Sequence, residues 1–332
     1  MKAEEIIERF AAENEITDIG ICSAEPFDEL REELEKKAQL LKGFAESDIE
    51  KRINPSLTLK NAKSIIVVAV SYNLRIDRSD DGVLRGKISA GAVGEDYHTT
   101  VVSLLEKLAA QLKKEYNFNY KIFADTGPLS DRAAAVRSGI GERGKNGCVV
   151  AKNGGAAVFL GYMITDMVLE TGTGGKNCCT GCGKCIAACP TGALSEKGFD
   201  MTRCISYLTQ LKRELTEEEI RLMGSNIYGC DCCQLVCPKN GTQKPWTGSK
   251  ESYAPSVEEL LKLSNRQFKE FYGKTAIFWR GNTVIKRNAI AAAANSGKKE
   301  AKGLIEPFLK SESPLLADTA RKALKILDET ER

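Results

Sequence analysis

Twelve cysteines stand against a single histidine, His98, and ten of the twelve fall between Cys178 and Cys237. Thiols crowded into one segment of a long chain do not read as disulfide staples, which a short secreted domain spreads along its length. They read as metal ligands, and with one histidine the metal must be held almost wholly by sulfur. Cys179-x2-Cys182-x2-Cys185-x3-Cys189-Pro190 has the spacing of the bacterial ferredoxin run. In that run three thiolates grip one [4Fe–4S] cube and the fourth, before proline, reaches another. Cys230-x2-Cys233-x3-Cys237-Pro238 supplies most of the reciprocal run. Its missing member would fall at Ile227, and Cys204, from the intervening helix, fills the vacancy. The spacing therefore predicts Cys179, Cys182, Cys185 and Cys237 on one cluster and Cys189, Cys204, Cys230 and Cys233 on the other. Cys178 and Cys232 each lie beside a ligand, so a one-residue exchange stays open. Two zinc ribbons are the competing reading of the C-x2-C pairs; the Cys-Pro run argues for clusters. Two such cubes pass single electrons, either to a reaction centre elsewhere in the chain or to a partner.

The rest of the chain must position that centre. At 332 residues two domains are expected, or three small ones. Residues 1–172 read as a mixed α/β, or α+β, domain. Ile6, Ile7, Phe10 and Ala11 mark an amphipathic helix leading to a strand at ITDIGICSA. SIIVVAVSY (64–72) has the β-branched run of a buried strand. Asp96 to Lys114 carries a helical period (Val101, Leu104, Leu105, Leu108, Leu112), and KIFADTG (121–127) reads as a strand ending in a turn. Two further strands are expected on either side of Asn153-Gly154-Gly155, a hairpin signal. Gly172, Gly174 and Gly175 punctuate the boundary to a ferredoxin-like double-cluster domain, 173–245. Residues 246–332 read as helical: Ser256 caps SVEELLKL, and from Ile285 a helix–turn–helix pattern resembles a HEAT unit, which alone must bury its apolar face on a neighbour.

Within 1–172 no G-x-G-x-x-G opens a helix after a strand, so a dinucleotide site is not expected. The Asp-x-His-x-x-Gly box that gives some corrinoid proteins an axial histidine is also missing, because Val101 follows His98 where glycine is required. A lone histidine is ordinarily a satisfied structural residue. Asp125, at a strand end before Gly127-Pro128, has two readings. One is an acid catalyst kept protonated by poor solvation; the other is a cap on the helix SDRAAAVRSG.

Composition narrows the class. With 42% apolar and 28% charged residues the chain is an ordinary globular one, and no apolar run reaches the length of a membrane helix. The acidic N-terminus lacks the layout of a secretory signal, so a cytoplasmic protein without membrane partners is expected. The net charge of +3 is balanced, but residues 239–302 hold thirteen Lys/Arg against five Asp/Glu. A basic helical surface suits an RNA backbone. Trp246, Tyr253, Phe268, Tyr272, Phe278 and Trp279 are interleaved there; some are candidates to stack on unpaired bases, although most are expected in the core.

Segments SDIEKRINPSLTLKNAKSIIVVAVSYN, GEDYH, ADTGPLSDRAAAVRSGIGERGKN, VFLGYMITD, CTGCGKCIAACPTGAL, RCISYLTQ, NIYGCDCCQLVCPKN and WRGNTVIKRNAI occur in that order. Together, over about residues 45–295, they resemble the epoxyqueuosine reductase family, cobalamin-dependent enzymes that complete queuosine in the tRNA anticodon loop. The resemblance implies a cobalamin in the first domain without a histidine ligand. It makes Asp125 the proton donor and places Arg52, Asp125, Arg203, Cys230 and Asp231 around the corrinoid. The clusters would reduce the cobalt one electron at a time, and Asp125 would protonate the departing epoxide oxygen. It also implies tRNA as partner, a flavodoxin or ferredoxin as electron donor, and a monomer.

Three departures accompany it. Glu142 follows Gly141 where relatives carry an aromatic, Tyr162 replaces an acidic residue, and Ile88 to Ala92 lacks the usual basic and aromatic residues. Two other readings follow: a corrinoid and iron–sulfur reductase of another substrate, such as a reductive dehalogenase, and a non-catalytic electron carrier.

Overall fold

The computed structural model describes residues 2–74, 81–172, 178–241 and 249–330. Trp246, Gly174 and Gly175 lie outside these, as do the junctions expected near 173 and 245. The chain forms two compact units, each assembled from separated segments: 1–72, 97–187 and 233–242 in the first, 73–96, 188–232 and 243–332 in the second.

The first unit is built on a sheet of β1 (Asp18–Ser23), β2 (Ser64–Ser71), β3 (Tyr120–Phe123) and β4 (Val158–Thr165), in the order β1-β2-β4-β3. Every pairing is antiparallel, with Ile66 opposite Met163 and Val67 opposite Tyr162. Alternation along β2 explains its uninterrupted apolar run. Ile66 and Val68 pack into one core with α1 (Ala3–Glu13) and α2 (Tyr97–Leu112); Ile65, Val67 and Ala69 pack into another with α3 (Asp131–Arg137). A sheet covered on both faces has no solvent side on which to place polar residues. Each such Ile or Val, fully buried, contributes about 1.5–3 kcal/mol relative to exposure.

The hairpin expected at Asn153-Gly154-Gly155 does not form between its flanking strands. Val149–Ala151 pairs back onto Gly141–Arg143, whereas β4 joins the main sheet. Asp18 is the reason: its buried carboxylate accepts the N–H groups of Asn153 and Gly154 and the Asn153 side-chain amide. The turn then closes on the single Ala151–Gly155 bridge and the chain leaves in a new direction.

The second unit centres on the helix Asn282–Asn295, whose Arg287 and Asn288 are fully buried. Arg287 donates to the carbonyls of Leu208, Thr209, Leu211 and Arg213, and Asn288 to those of Thr209 and Ile227. A buried guanidinium is tolerated only when its donors are occupied in this way; burial still pulls its pKa down to about 9. Lys87–Ile88 and Asn226–Tyr228 form a short parallel pair, and the unit also holds helices at Glu217–Met223, Val257–Lys262, Asn265–Tyr272, Ala301–Ile305 and Pro314–Thr330. Ser256 caps Val257–Lys262 through the Glu259 N–H, as its sequence predicts.

Candidate active site and cluster ligands

Asp125 sits in the turn between β3 and α3 with φ of 55°, one of three non-glycine residues in the left-handed region among the described residues. Such a conformation costs a non-glycine residue about 1 kcal/mol or more and needs outside support. Support comes from both ends. Its own N–H donates to Asp131 Oδ2 at 2.7 Å, and its carboxylate Oδ2 accepts the Tyr97 hydroxyl at 2.9 Å. The same oxygen lies 3.6 Å from His98 Nε2. Tyr97 is fixed in turn between His98 and Phe159, with ring centroids 4.0 and 4.4 Å away. Gly127 is required two residues on, because a Cβ there would fall 2.1 Å from the Tyr162 hydroxyl.

Asp125 therefore does not cap α3. Ser130 occupies the cap position, and Asp131, the first residue of the helix, reaches back to the Asp125 backbone instead. The expected desolvated, neutral acid is also corrected. The Asp125 side chain is 68% exposed; the surrounding protein pulls its pKa up, but His98, the Tyr97 hydrogen bond and the Arg132 charge carry it below its ordinary value. The raised carboxyl is Asp131, pushed up to about 7 chiefly by burial and next by the Asp125 charge. By surface area it is only half-buried.

A pH prediction follows from Asp131. Its folded pKa is above its unfolded one, so the stability it contributes is complete below about pH 4 and is lost as pH rises through about 7. Asp131→Asn keeps an acceptor for the Asp125 N–H and removes the titration. Relative to wild type, its melting temperature is expected to improve between pH 5 and pH 8. An offset that is the same at both pH values would show that Asp131 is ionised throughout.

Arg52, from the short helix Ile49–Ile53, has its pKa pulled down by burial, opposed by the nearby Asp131 carboxyl. Its Nε is buried without a hydrogen-bond partner. Tyr162 is fully buried, and its hydroxyl accepts the Leu129 N–H at 3.0 Å. This departure thus supports the Asp125 turn from beneath.

Cys179, Cys182, Cys185 and Cys237 line one hollow in the first unit. Among the described residues no three Cys, His, Asp or Glu side chains are grouped tightly enough to hold a single ion. The Lys184 N–H and then the Thr180 side chain hold the Cys182 thiol below its usual value, whereas burial raises that of Cys185. Cys178 faces away into a core with Val150 and Ala156, and burial raises its pKa. Glu142 Oε1 accepts the Cys179 N–H at 2.6 Å. Outside the run, burial pushes the Cys22 thiol up to about 12.

Cys189, Cys204 and Cys230 belong to the second unit. Cys204 precedes the helix Ile205–Leu208 instead of lying within it. Hydrogen bonds tie the three segments together. The Arg203 Nε donates to the Thr191 carbonyl near Cys189, and the Gly229 N–H, beside Cys230, donates to Thr209 Oγ1. Arg203 also bonds Glu218, while both oxygens of the buried Asp231 are taken by the Ser89 hydroxyl and the Ala90 N–H. These side chains already serve the fold.

Of the aromatics read from sequence, Tyr253 and Phe268 are buried; Phe278 and Trp279 are 36% and 47% exposed. Phe271, 65% exposed, was not anticipated. Arg280 stacks 3.3 Å over the Trp279 ring and, like Arg287, is buried, so the solvent-facing excess of positive charge is smaller than the sequence count. Sequence reasoning also missed Tyr97, Asp131 and the partnership of His98 with Asp125. Their adjacency to GEDYH and ADTGP was the only available signal.

Two family models match: "Epoxyqueuosine reductase QueG, DUF1730" over residues 52–126, and "4Fe-4S double cluster binding domain" over 178–240. The epoxyqueuosine reductase of Bacillus cereus is 42% identical over 93% of this chain and 85% of its own length. A crystal structure of an epoxyqueuosine reductase with an epoxyqueuosine-modified tRNA-Tyr stem loop aligns at a TM-score of 0.89 and 36% identity, covering 98% of this chain and 89% of the other. A structure from Bacillus subtilis, described with an aspartate catalytic loop swung out of the active site, aligns at 0.88 and 36% identity over 98% and 90%. The mixed α/β fold and the double-cluster segment are thus shared with solved members, and the chain belongs to the epoxyqueuosine reductase family of oxidoreductases.

Proposed function

We propose that this chain reduces epoxyqueuosine to queuosine in tRNA, using two [4Fe–4S] clusters, a cobalamin and the Asp125 site. The observation that carries this reading is the Asp125 carboxylate, held in a strained turn with the Tyr97 hydroxyl and His98 on one oxygen. A relative's aspartate loop is described as catalytic, and Asp125 is this chain's candidate for that role.

The residues present fit the proposed groups. Four thiols around one hollow suit one cluster, and Cys189, Cys204, Cys230 and Cys233 are proposed for the second. The buried, unpartnered Arg52 Nε is a donor awaiting an acceptor, which suits the polar side chains of a corrinoid. Arg203, Cys230 and Asp231 are kept as proposed corrinoid neighbours. When bound, these groups supply single electrons and a strongly reducing cobalt.

Opening the epoxide to the alkene consumes two electrons and two protons and releases the oxygen as water. The chain's own contribution is the proton path. His98 Nε2 and the Tyr97 hydroxyl hold protons against Asp125 Oδ2, and Asp125, ionised at neutral pH, receives one and passes it to the departing oxygen. Asp131 holds the Asp125 backbone while this happens. The helices at 282–295, 301–305 and 314–330 are proposed as a short HEAT-like tail closing a three-part chain (1–172, 173–245, 246–332). A flavodoxin or ferredoxin donor, a monomer and a cytoplasmic setting complete the proposal.

Nucleosides of tRNA from a strain lacking this gene test the reading: epoxyqueuosine is expected to accumulate at the expense of queuosine. Unchanged queuosine would overturn it. The segment with exposed Arg266, Lys269 and Lys274 and exposed Phe271, Phe278 and Trp279 is proposed to meet the RNA. Affinity for a modified stem loop is then expected to fall by tenfold or more between 50 and 200 mM salt, about the slope of a few phosphate contacts. A flat salt response would exclude backbone-driven docking.

A further inference from the structure

Glu142 lies in the short strand Gly141–Arg143, its register fixed opposite Val150. Its carboxylate accepts the N–H of Cys179 at 2.6 Å, the amide of a proposed ligand. Arg143, next in sequence, is engaged elsewhere: its two terminal nitrogens bond Glu33 bidentately. Val150, opposite Glu142, belongs with Ala156 and Cys178 to a small apolar core against which Cys179 and Cys237 pack. Lys145, Lys184 and Lys239 line the same hollow as Cys179 and Cys237 and are opposite in charge to Glu142.

We propose that Glu142 sets the reduction potential of the cluster held by Cys179, Cys182, Cys185 and Cys237, keeping it lower than an uncharged side chain would. Two effects act in the same direction. A negative charge beside a thiolate ligand opposes the arrival of an electron, all the more where apolar packing limits screening. The Cys179 N–H, committed to the carboxylate, is withdrawn from the donors that stabilise a reduced cluster through its sulfurs. Glu142 acts through Cys179, and the proposal rests on the cluster assignment above.

The test is an anaerobic redox titration of the reconstituted full chain, followed by electron paramagnetic resonance, beside iron content. Glu142→Gln keeps the shape and the acceptor but loses the charge. Expected is full iron content, one cluster shifted positive by about 59 mV or more, equivalent to tenfold in its reduced-to-oxidised ratio, and the other unmoved. Glu142→Asp, which keeps the charge, is expected to stay within half that shift of wild type. Unmoved potentials in the glutamine variant, or the same shift in both variants, would overturn the proposal. Wild-type protein lacking cluster signals would overturn the cluster assignment, and this proposal with it.

Discussion

An Asp125→Asn protein is expected to retain both its iron and its corrinoid absorbance and to lose turnover by about 10²–10⁴-fold, the contribution of a positioned proton donor. The substitution is chosen for what it leaves intact. Asparagine accepts the Tyr97 hydroxyl as aspartate does, keeps the backbone N–H that Asp131 holds at 2.7 Å, and tolerates φ of 55° better than most residues. What is removed is the negative charge and with it the capacity to receive and release a proton. Single-turnover assays on an epoxyqueuosine-bearing stem loop, beside the cofactor spectra, provide the measurement. A rate like that of wild type would remove Asp125 from the chemistry and leave it a turn residue.

Cys204→Ala is expected to cost about half the iron, whereas Cys178→Ala should keep nearly all of it. The contrast rests on surroundings. Cys178 is 6% exposed in an apolar pocket shared with Val150 and Ala156. Cys204 stands at a helix entrance beside Arg203, which reaches the Thr191 carbonyl near Cys189. Iron and acid-labile sulfide per chain decide the matter. Unchanged iron in Cys204→Ala would pass its place to Cys232, and lost iron in Cys178→Ala would reverse the assignment of Cys178 and Cys179.

Much of this was legible in the sequence wherever a local rule operated alone. Ferredoxin spacing is written in consecutive residues, and the β2 run, the α2 period and the Ser256 cap each depend on their own neighbourhood. Legibility failed where two distant segments competed for one group. Asn153-Gly154-Gly155 has the composition of a hairpin, but Asp18, 135 residues upstream of Asn153, captures its amides. Asp125 was ambiguous because its partners come from α2 and α3, and spacing along the chain says nothing of which carboxyl, 125 or 131, will keep its proton. His98 read as structural for the same reason. Residues 239–302 illustrate the limit for charge: a count treats Arg287 as a surface cation, although the fold spends it on four backbone carbonyls.

The interleaving of the two units has a consequence for biosynthesis. The strands of the main sheet have all been made by residue 165, yet Gln234 and Asn240, which bond Tyr72 and the backbone of Ala156, follow some seventy residues later. At ribosomal speeds of about 5–20 residues per second, the nascent first unit waits on the order of several seconds for its last segment. Truncation anywhere before residue 242 therefore removes part of the earliest-synthesised unit, and a messenger cut to encode the N-terminal half alone cannot yield that unit whole.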